Sequence, residues 1–277
     1  MKPMRTLSGW RRLLVLAVGF WTVHAAAAPA WGGAGIARPL SIEVVYDNYT
    51  VAEGCEAEWG YACLVRARGM VVLFDTGGLP GIFFKNMASM DIDPMSIDAI
   101  VISHTHGDHI GGLFDLVEKK KGIPLYLPAS ANDHLVRALE TRGSHVIRVD
   151  QPVAIVPGVY STGEMRSAGG VAEQALYLRT VKRGVLVTGC AHPGVAVISD
   201  RARQHFKEPI HFVFGGFHLL EAPDEAIDAV IGELREMDVT RLGPSHCTGD
   251  RAIERMRAAY KDDFVAMGVG TRISLED

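Results

Sequence analysis

One ten-residue stretch, Ser103 to Gly112, constrains this chain more than any other part of its sequence, because it reads S-H-T-H-G-D-H-I-G-G. It follows the apolar run Ala99 to Ile102, which is typical of a buried strand, and precedes a predicted helix, Leu113 to Lys121. Side chains two residues apart on an extended backbone point to the same side. Four potential metal ligands therefore cluster where the strand ends: His104, His106, Asp108 and His109.

These four side chains predict a metal site. His104 and His106 can face one ion, while Asp108 and His109 follow where the chain turns into the helix and can face a second position nearby. Mixed imidazole and carboxylate ligands suit zinc, and also iron or manganese. A merely polar loop is the alternative, but three histidines and an aspartate within six residues argue against it. We expect one or two bound ions, with zinc favoured.

The remainder of the chain alternates short apolar runs with helical patterns. Met70 to Phe74, Gly184 to Thr188 and Ile210 to Phe214 are predicted strands, and Val195 to Gln204 is a predicted helix. Strand clusters interleaved with helices imply sheets covered by helices, that is, a layered α/β fold. No low-complexity linker interrupts residues 42–277, so a single domain is expected there.

The first thirty residues have the composition of a secretory signal peptide. A positive region that ends at Arg11 and Arg12 precedes the apolar run Leu13 to Val23, and the small residues Ala26 to Ala30 fit a cleavage site. Eleven apolar residues are too few to span a bilayer comfortably, so stable membrane insertion is not expected after cleavage. We expect a periplasmic or secreted protein, with residues 31–41 as a flexible leader before the folded domain.

Charge bears on the possible binding partners, and cysteine content on disulfides and metal binding. The formal net charge is −4 and the longest basic run is Lys119 to Lys121, so no nucleic-acid partner is expected. In an oxidising compartment Cys55 and Cys63 could form a local disulfide, but their spacing does not show whether the geometry permits it. Cys190 and Cys247 each lie within two residues of a histidine, so metal binding and disulfide pairing both stay open for them.

Several motifs resemble one known family. H-T-H-G-D-H resembles the H-x-H-x-D-H signature of the metallo-β-lactamase superfamily, and F-D-T-G at 74–77 is similar to its strand-end Asp-x-Gly element. Four further motifs resemble the branch named after a dihydropterin ribofuranosyl-aminobenzene phosphate synthase: A-E-W-G at 57–60, T-G-C-A-H-P-G at 188–194, F-G-G-F-H-L at 214–219 and P-S-H-C-T-G at 244–249. The resemblance covers most of residues 42–277 and implies a four-layer αββα sandwich that holds metal between two packed sheets.

The resemblance also implies roles for single residues. Asp75 is expected to orient a ligand from behind, and His246 to join the second metal position. His192 stands two residues beyond the place of the superfamily's bridging aspartate, and we expect it to complete the first position. Asp108 is expected to orient water or accept its proton as well as to bind metal. His218 is the candidate for a non-ligand catalytic or substrate-binding histidine, with a core or capping role as its alternative.

Three positions depart from the superfamily's usual pattern. Cys190 occupies the place of the bridging aspartate, as a thiolate ligand or a small buried side chain; we favour the latter because free thiols are usually buried. Glu164 lies where a third histidine ligand is usual, and is expected to bind metal, to contact substrate or to lie on the surface. Glu58 is either at the rim of the site or an ordinary surface residue, and its neighbour Trp59 stands where relatives often carry histidine.

These residues predict an enzyme, because a metal held by three protein ligands lowers the pKa of water and polarises a substrate oxygen. The expected activity is that of an exported metal-dependent hydrolase that cleaves an ester, lactone, amide or phosphoester of a small molecule. Synthase-type chemistry on a pterin-like or phosphorylated substrate is one alternative, and a non-catalytic metal-dependent binding protein is another. β-Lactamase activity is disfavoured by the missing third histidine, and iron-dependent redox chemistry stays open, as does the oligomeric state.

Overall fold

The computed structural model describes residues 40–181 and 183–275, and two β-sheets organise this part of the chain. The first sheet comprises β1 (Leu40–Tyr46), β2 (Ala62–Ala67), β3 (Met70–Phe74), β4 (Ala99–Val101), β5 (Pro124–Pro128), β6 (His145–Val149) and β15 (Arg272–Leu275). Their order across the sheet is β15-β1-β2-β3-β4-β5-β6. The strands from β3 to β6 run parallel, whereas the pairs from β15 to β3 are antiparallel.

The second sheet has six strands and packs on the first. It comprises β7 (Val153–Val156), β8 (Val159–Ser161), β11 (Leu176–Arg179), β12 (Gly184–Thr188), β13 (Ile210–Gly216) and β14 (Arg241–Ser245). Their order is β14-β13-β12-β11-β8-β7, and β12, β13 and β14 run parallel. A short separate hairpin, β9 (Met165–Arg166) with β10 (Ala172–Glu173), lies between β8 and β11 in the chain.

Helices cover the outer face of each sheet. They are α1 (Pro80–Ser89), α2 (Gly107–Ile110), α3 (Leu113–Lys119), α4 (Asp133–Thr141), α5 (Val195–Phe206), α6 (Asp224–Glu236) and α7 (Asp250–Tyr260). One buried cluster joins α1, α3 and α4 to the first sheet, and another joins α5, α6 and α7 to the second. A third cluster lies between the sheets. These layers form the α/β, four-layer αββα sandwich that the family resemblance implied.

Burial on both faces explains why the strands read as continuous apolar runs rather than as alternating ones. In β2, Cys63 and Val65 face the second sheet, while Ala62 and Leu64 face the helices. Each such leucine or valine contributes about 1.5–3 kcal/mol when it is fully buried. The same alternation rules out the disulfide that Cys55 and Cys63 could have formed. Cys55 packs against the helix-covered face, so the sheet separates it from Cys63, and both thiols are free.

Several predicted boundaries need correction. β1 begins at Leu40, so the last two residues of the predicted leader belong to the sheet; residues 1–39, with the predicted signal peptide, lie outside the described residues. α3 ends at Lys119, two residues before its predicted end. α5 continues to Phe206, two residues beyond its predicted end. The sequence patterns missed the β9–β10 hairpin, because two-residue strands carry no periodicity. Within 40–181 and 183–275, no helix has the length and apolar character needed to span a bilayer.

The topology brings the loops of both sheets to one edge. β4 leads directly into the histidine-rich stretch, and β12, β13 and β14 lead into the segments that carry His192, His218 and His246. In open parallel sheets, binding sites form beyond the carboxyl ends of the strands. Here two such edges face each other, so residues that are distant in the sequence share one site.

Candidate metal centre

The loops at this edge hold strained backbone. Asp75, Ala191, His218 and His246 have positive φ angles of 60°, 58°, 54° and 50°. Non-glycine residues adopt this left-handed region at a cost on the order of 1–3 kcal/mol each, and such residues concentrate at functional sites. All four lie one to three residues beyond the end of a strand of one of the two sheets. The fold therefore holds these loops in conformations that their own residues do not favour.

Asp75 organises two histidines from behind. Its buried carboxylate accepts the Ser103 backbone N–H and the Ser103 hydroxyl, both at 2.7 Å, and its Oδ2 lies 2.7 Å from His109 Nδ1. Burial raises the pKa of Asp75, but the Ser103 hydrogen bonds oppose this by stabilising the carboxylate. Since the carboxylate only accepts, His109 Nδ1 donates, and His104 Nδ1 donates to the Ser103 hydroxyl at 2.9 Å. Both histidines therefore present the lone pair of Nε2 to the site.

The first group of ligands comes from both sheets. His104 Nε2 lies 3.1 Å from His106 Nδ1 and 3.3 Å from His192 Nε2. His104 can accept one proton at Nε2 but not two, so hydrogen bonding cannot satisfy all three nitrogens. The structure thus brings His192 to the two histidines that it was expected to join. It reaches them from the loop after β12, in the absence of the usual third histidine.

The second group lies beside the first. Ligand atoms of Asp108, His109, Cys190 and His246 all lie within 4.8 Å of one another. Asp108 Oδ2 is 3.7 Å from His109 Nε2 and 3.4 Å from His246 Nε2. His246 Nδ1 donates to Asn48 Oδ1 at 2.9 Å, whereas its buried Nε2 has no hydrogen-bond partner among the described residues. A buried polar atom with no partner is costly, and a cation at this point would satisfy it.

Electrostatics also prepares these groups to bind a cation. Burial, together with the neighbouring imidazoles, lowers the pKa of His104 and of His109 well below the ordinary value. Burial and the nearby His218 lower the pKa of His192 to about 4. Burial disfavours ionisation of Asp108, but the adjacent imidazoles of His246 and His109 hold its pKa below the usual range. At neutral pH His104, His109 and His192 are neutral and Asp108 is ionised, which are the states that bind metal.

The donor set fits one or two divalent ions. Imidazole nitrogens, one carboxylate and one thiol suit zinc, and the nitrogen and oxygen ligands also suit iron or manganese. His104, His106 and His192 would hold one ion; Asp108 and His109 would hold the other, with His246.

Cys190 occupies a more central place than a buried filler would. Its Sγ lies 3.2 Å from His109 Nε2, and it also lies within 4.8 Å of the ligand nitrogens of His104 and His192. Hydrogen bonding with Cys247 and burial raise the pKa of the Cys190 thiol, and a coordinated metal would reverse this by binding the thiolate. The side chain is buried, as expected, but it stands between the two ligand groups.

His218 lies on the open side of the first ligand group. Its exposed imidazole has its ring centroid 4.3 Å from that of His192, and a ring nitrogen lies within 4.8 Å of the Cys190 and Cys247 sulfurs. Hydrogen bonding with Cys247 raises the pKa of His218 despite partial burial. This position excludes a core role.

Trp59 and Glu58 form the opposite rim. The Trp59 indole N–H donates to Asp108 Oδ2 at 2.8 Å, and its ring lies 4.9 Å from that of His246, although 45% of the residue is exposed. The exposed Glu58 carboxylate accepts the Trp59 backbone N–H at 2.8 Å and reaches no ligand group. Trp59 therefore fixes the orientation of Asp108, a role that the sequence pattern did not indicate, and Glu58 fixes Trp59.

Glu164 belongs to neither ligand group. Its side chain is only 9% exposed, its Oε2 accepts the Ser130 backbone N–H at 2.7 Å, and its Oε1 lies 3.2 Å from Arg166 Nη2. The expectation that it could bind metal is therefore not met, and it is not a surface residue either.

Glu173 is a functional residue that the sequence did not reveal. Its fully buried carboxylate accepts the backbone N–H groups of Cys190, Ala191 and His192 at 2.9, 2.8 and 2.8 Å. It thereby holds the loop that carries two potential ligands. The only signal in the sequence is a charged residue three positions before the apolar strand β11. Its partners are backbone groups, which no side-chain pattern records.

Comparisons with known proteins agree with this geometry. A family model described as the metallo-β-lactamase superfamily matches residues 60–246. The chain is 28% identical, over an alignment of 242 positions, to 7,8-dihydropterin-6-methyl-4-(β-D-ribofuranosyl)-aminobenzene-5'-phosphate synthase of Methanocaldococcus jannaschii, covering 72% of this chain and 82% of that protein. A hydroxyacylglutathione hydrolase of Xanthomonas oryzae pv. oryzae is 29% identical over 126 residues, which cover 44% of this chain and 42% of that protein.

Solved structures give the same architecture. A metal-dependent hydrolase of the β-lactamase superfamily superimposes with a TM-score of 0.73 at 27% identity, covering 86% of this chain and 100% of that one. The metallo-β-lactamase fold protein YhfI from Bacillus subtilis superimposes with a TM-score of 0.62 at 16% identity, with the same coverage. The second likeness shows the fold alone.

Proposed function

The chain belongs to the metallo-β-lactamase superfamily, and on that premise we propose that it is a metal-dependent hydrolase that cleaves an ester, lactone, amide or phosphoester of a small molecule. The observation that carries the proposal is the meeting of two ligand groups from opposite sheets. His104 and His192 in the first group and His109 in the second are neutral, and Asp108 is ionised. When bound there, a divalent ion lowers the pKa of water and polarises a substrate oxygen.

The protein's own groups supply the remaining chemistry. Asp108 is partly exposed, so its carboxylate can orient a water molecule and accept its proton, while the Trp59 N–H holds Oδ2 in place. His218 lies beside the first ligand group with an exposed imidazole, from which it can pass a proton to the leaving group. Asp75 and Glu173 keep the ligands in position from behind.

The test is turnover before and after chelation. Zinc-loaded protein would be assayed with a panel of 4-nitrophenyl esters, lactones, anilides, nitrocefin and phosphodiesters. We expect turnover of at least one class, loss on treatment with a chelator, and recovery when zinc is restored. His246→Ala should abolish this activity, whereas His134→Ala, an exposed position on α4 outside the ligand groups, should not. Absence of metal-dependent turnover across the panel would contradict the proposal.

Bond-forming chemistry is the second candidate, favoured by one observation. The Methanocaldococcus jannaschii relative, which matches over 72% of this chain, is named as a synthase. Incubation with a phosphorylated pterin-like substrate and a second, nucleophilic substrate, followed by mass spectrometry of the products, would distinguish the two reactions. A synthase would give the mass of a product joined from both substrates, whereas a hydrolase would give products with water added. Recovery of every small molecule unchanged, with metal-dependent binding, would instead favour a binding protein.

We also propose export and zinc as the resident metal. Export rests on the composition of residues 1–30, and is tested by cell fractionation with N-terminal sequencing of the mature protein. A protein that kept its N-terminus and stayed in the cytoplasm would contradict it. Metal analysis of protein purified from its own cells tests the second point, and iron or manganese in place of zinc would overturn it.

A further inference from the structure

A cavity adjoins the first ligand group at His106. It has a volume of about 320 Å³ and is lined by three segments: the loop after β4, the turn between β5 and α4, and the β9–β10 hairpin. His106 forms part of its wall, so the cavity opens beside a metal ligand. Small-molecule sites occupy roughly 300–1,000 Å³, which places this cavity at the size of a small group rather than of a whole large ligand.

The polar groups of the cavity favour negative charge. Arg166 is the one cationic side chain among the described lining residues, and Thr105 and Ser130 contribute hydroxyl-bearing side chains. None of these lining residues is acidic. The remaining lining residues are small or apolar, including Pro128, Ala131, Gly170, Val171 and Ala172. Glu164 pairs with Arg166 but is not among the lining residues, and the guanidinium has donors beyond this pair, so the cavity wall still favours an anion.

Glu164 holds Arg166 at the cavity. The carboxylate is nearly buried and anchored by the Ser130 N–H, and the guanidinium that it contacts is 60% exposed. A guanidinium has five N–H donors, and Glu164 is its one ion-pair partner among the described residues. The pair therefore limits the mobility of a long side chain while leaving donors directed to solvent. Such preorganisation strengthens binding because less freedom is lost when the ligand arrives.

We propose that this cavity binds an anionic group of the substrate, a carboxylate or a phosphate, through Arg166. The substrate is then an anionic ester or amide whose charged end lies in the cavity while its scissile bond lies at the metal ligands. This inference rests on the proposed hydrolase function, but the binding of an anion to Arg166 does not depend on turnover. Arg166 is accordingly a specificity-determining residue, and Glu164 is its positioning residue.

The first experiment measures binding directly. Zinc-loaded protein labelled with ¹⁵N-arginine would be titrated with inorganic phosphate and, separately, with acetate, while the Nε–Hε resonances are followed. We expect the Arg166 resonance, identified by its loss in Arg166→Gln, to shift with at least one anion. Arg142, whose guanidinium bonds Glu118 on the surface, serves as the matched internal control and should not shift. A shift with phosphate alone assigns a phosphorylated substrate, and one with acetate alone a carboxylate. No shift with either overturns the proposal.

The second experiment compares two esters that differ in charge, 4-nitrophenyl butyrate and mono-4-nitrophenyl glutarate. Arg166→Gln should raise KM for the anionic ester about tenfold, as expected for the loss of a charge-assisted hydrogen bond, with kcat little changed. KM for the neutral ester should not change, and Arg142→Gln should behave as wild type with both esters. Equal effects on both esters would overturn the proposal. If wild-type protein cleaves neither ester, the protein does not hydrolyse these esters. The resonance titration then still shows whether Arg166 binds an anion.

Discussion

Replacing Glu173 with glutamine tests how the metal centre is held together. Glutamine keeps the size of the side chain but exchanges one acceptor oxygen for an NH₂ group. Glu173 Oε1 accepts from Cys190 and Ala191, and Oε2 accepts from His192, so the amide oxygen can serve only one side of this arrangement. At least one buried backbone N–H of the ligand loop then faces a donor instead of an acceptor.

The magnitude follows from that lost acceptor. An unsatisfied buried N–H costs about 1–3 kcal/mol. Ala191 has a φ of 58°, so the loop has no intrinsic preference for this conformation and relies on the carboxylate. If this free energy of about 1–3 kcal/mol must be supplied each time zinc binding orders the loop, zinc affinity falls about 5- to 150-fold. The assay is competition for zinc with a chromophoric chelator, with Glu118→Gln on the exposed side of α3 as the control. Zinc affinity equal to that of wild type would refute the reasoning.

The pH dependence separates loop geometry from general unfolding. Burial raises the pKa of Glu173 to about 7, above its ordinary value of 4.5, although the three N–H groups lower it. Because the folded-state pKa is raised, the group's contribution to stability is complete below about 4.5 and is lost as the pH rises through about 7. One pKa unit corresponds to about 1.4 kcal/mol. Between pH 4.5 and pH 7, the free energy of unfolding of metal-free wild-type protein should therefore fall by about 3 kcal/mol relative to that of Glu173→Gln. If Glu173→Gln weakened zinc binding but its free energy of unfolding showed no such pH-dependent difference from wild type, the conclusion that Glu173 is a buried, ionisable carboxyl would be contradicted.

Three further results are expected. Trp59→Phe removes the N–H that Asp108 accepts at 2.8 Å, so kcat should fall about fivefold, and an unaltered rate would contradict the positioning role. Cys190→Ser should weaken Cd²⁺ binding and remove the ultraviolet absorption of a Cd²⁺–thiolate bond; unchanged absorption would return Cys190 to the role of a buried filler. Gly111→Ala should lower the free energy of unfolding by about 2–4 kcal/mol in urea denaturation, because the new methyl carbon would lie 2.0 Å from the Gly78 carbonyl oxygen. Gly107→Ala, with nothing within 4 Å, should change it by less than about 0.5 kcal/mol, and equal effects would refute the argument.

The site could be predicted from sequence wherever chemistry is local. His104, His106, Asp108 and His109 follow one another at the end of a strand, so their meeting requires only local geometry. Residues such as His192 and His246 were within reach because their motifs resemble those of a known family. Glu164 marks the limit of that resemblance, because the missing third histidine indicated a departure but not that Glu164 would turn towards Ser130 and Arg166.

The apolar pattern and the histidine motif suffice to specify a layered α/β protein with a metal site at one edge, since periodicity and ligand spacing act over short stretches of chain. Tertiary structure alone decides which atoms meet across the two sheets. It places His192 against His104, centres Cys190 between two ligand groups, and holds their loop on a buried Glu173. These contacts join segments up to 88 residues apart. They depend on backbone groups, strand order and the facing of two sheet edges, and none of these leaves a periodic mark in the sequence.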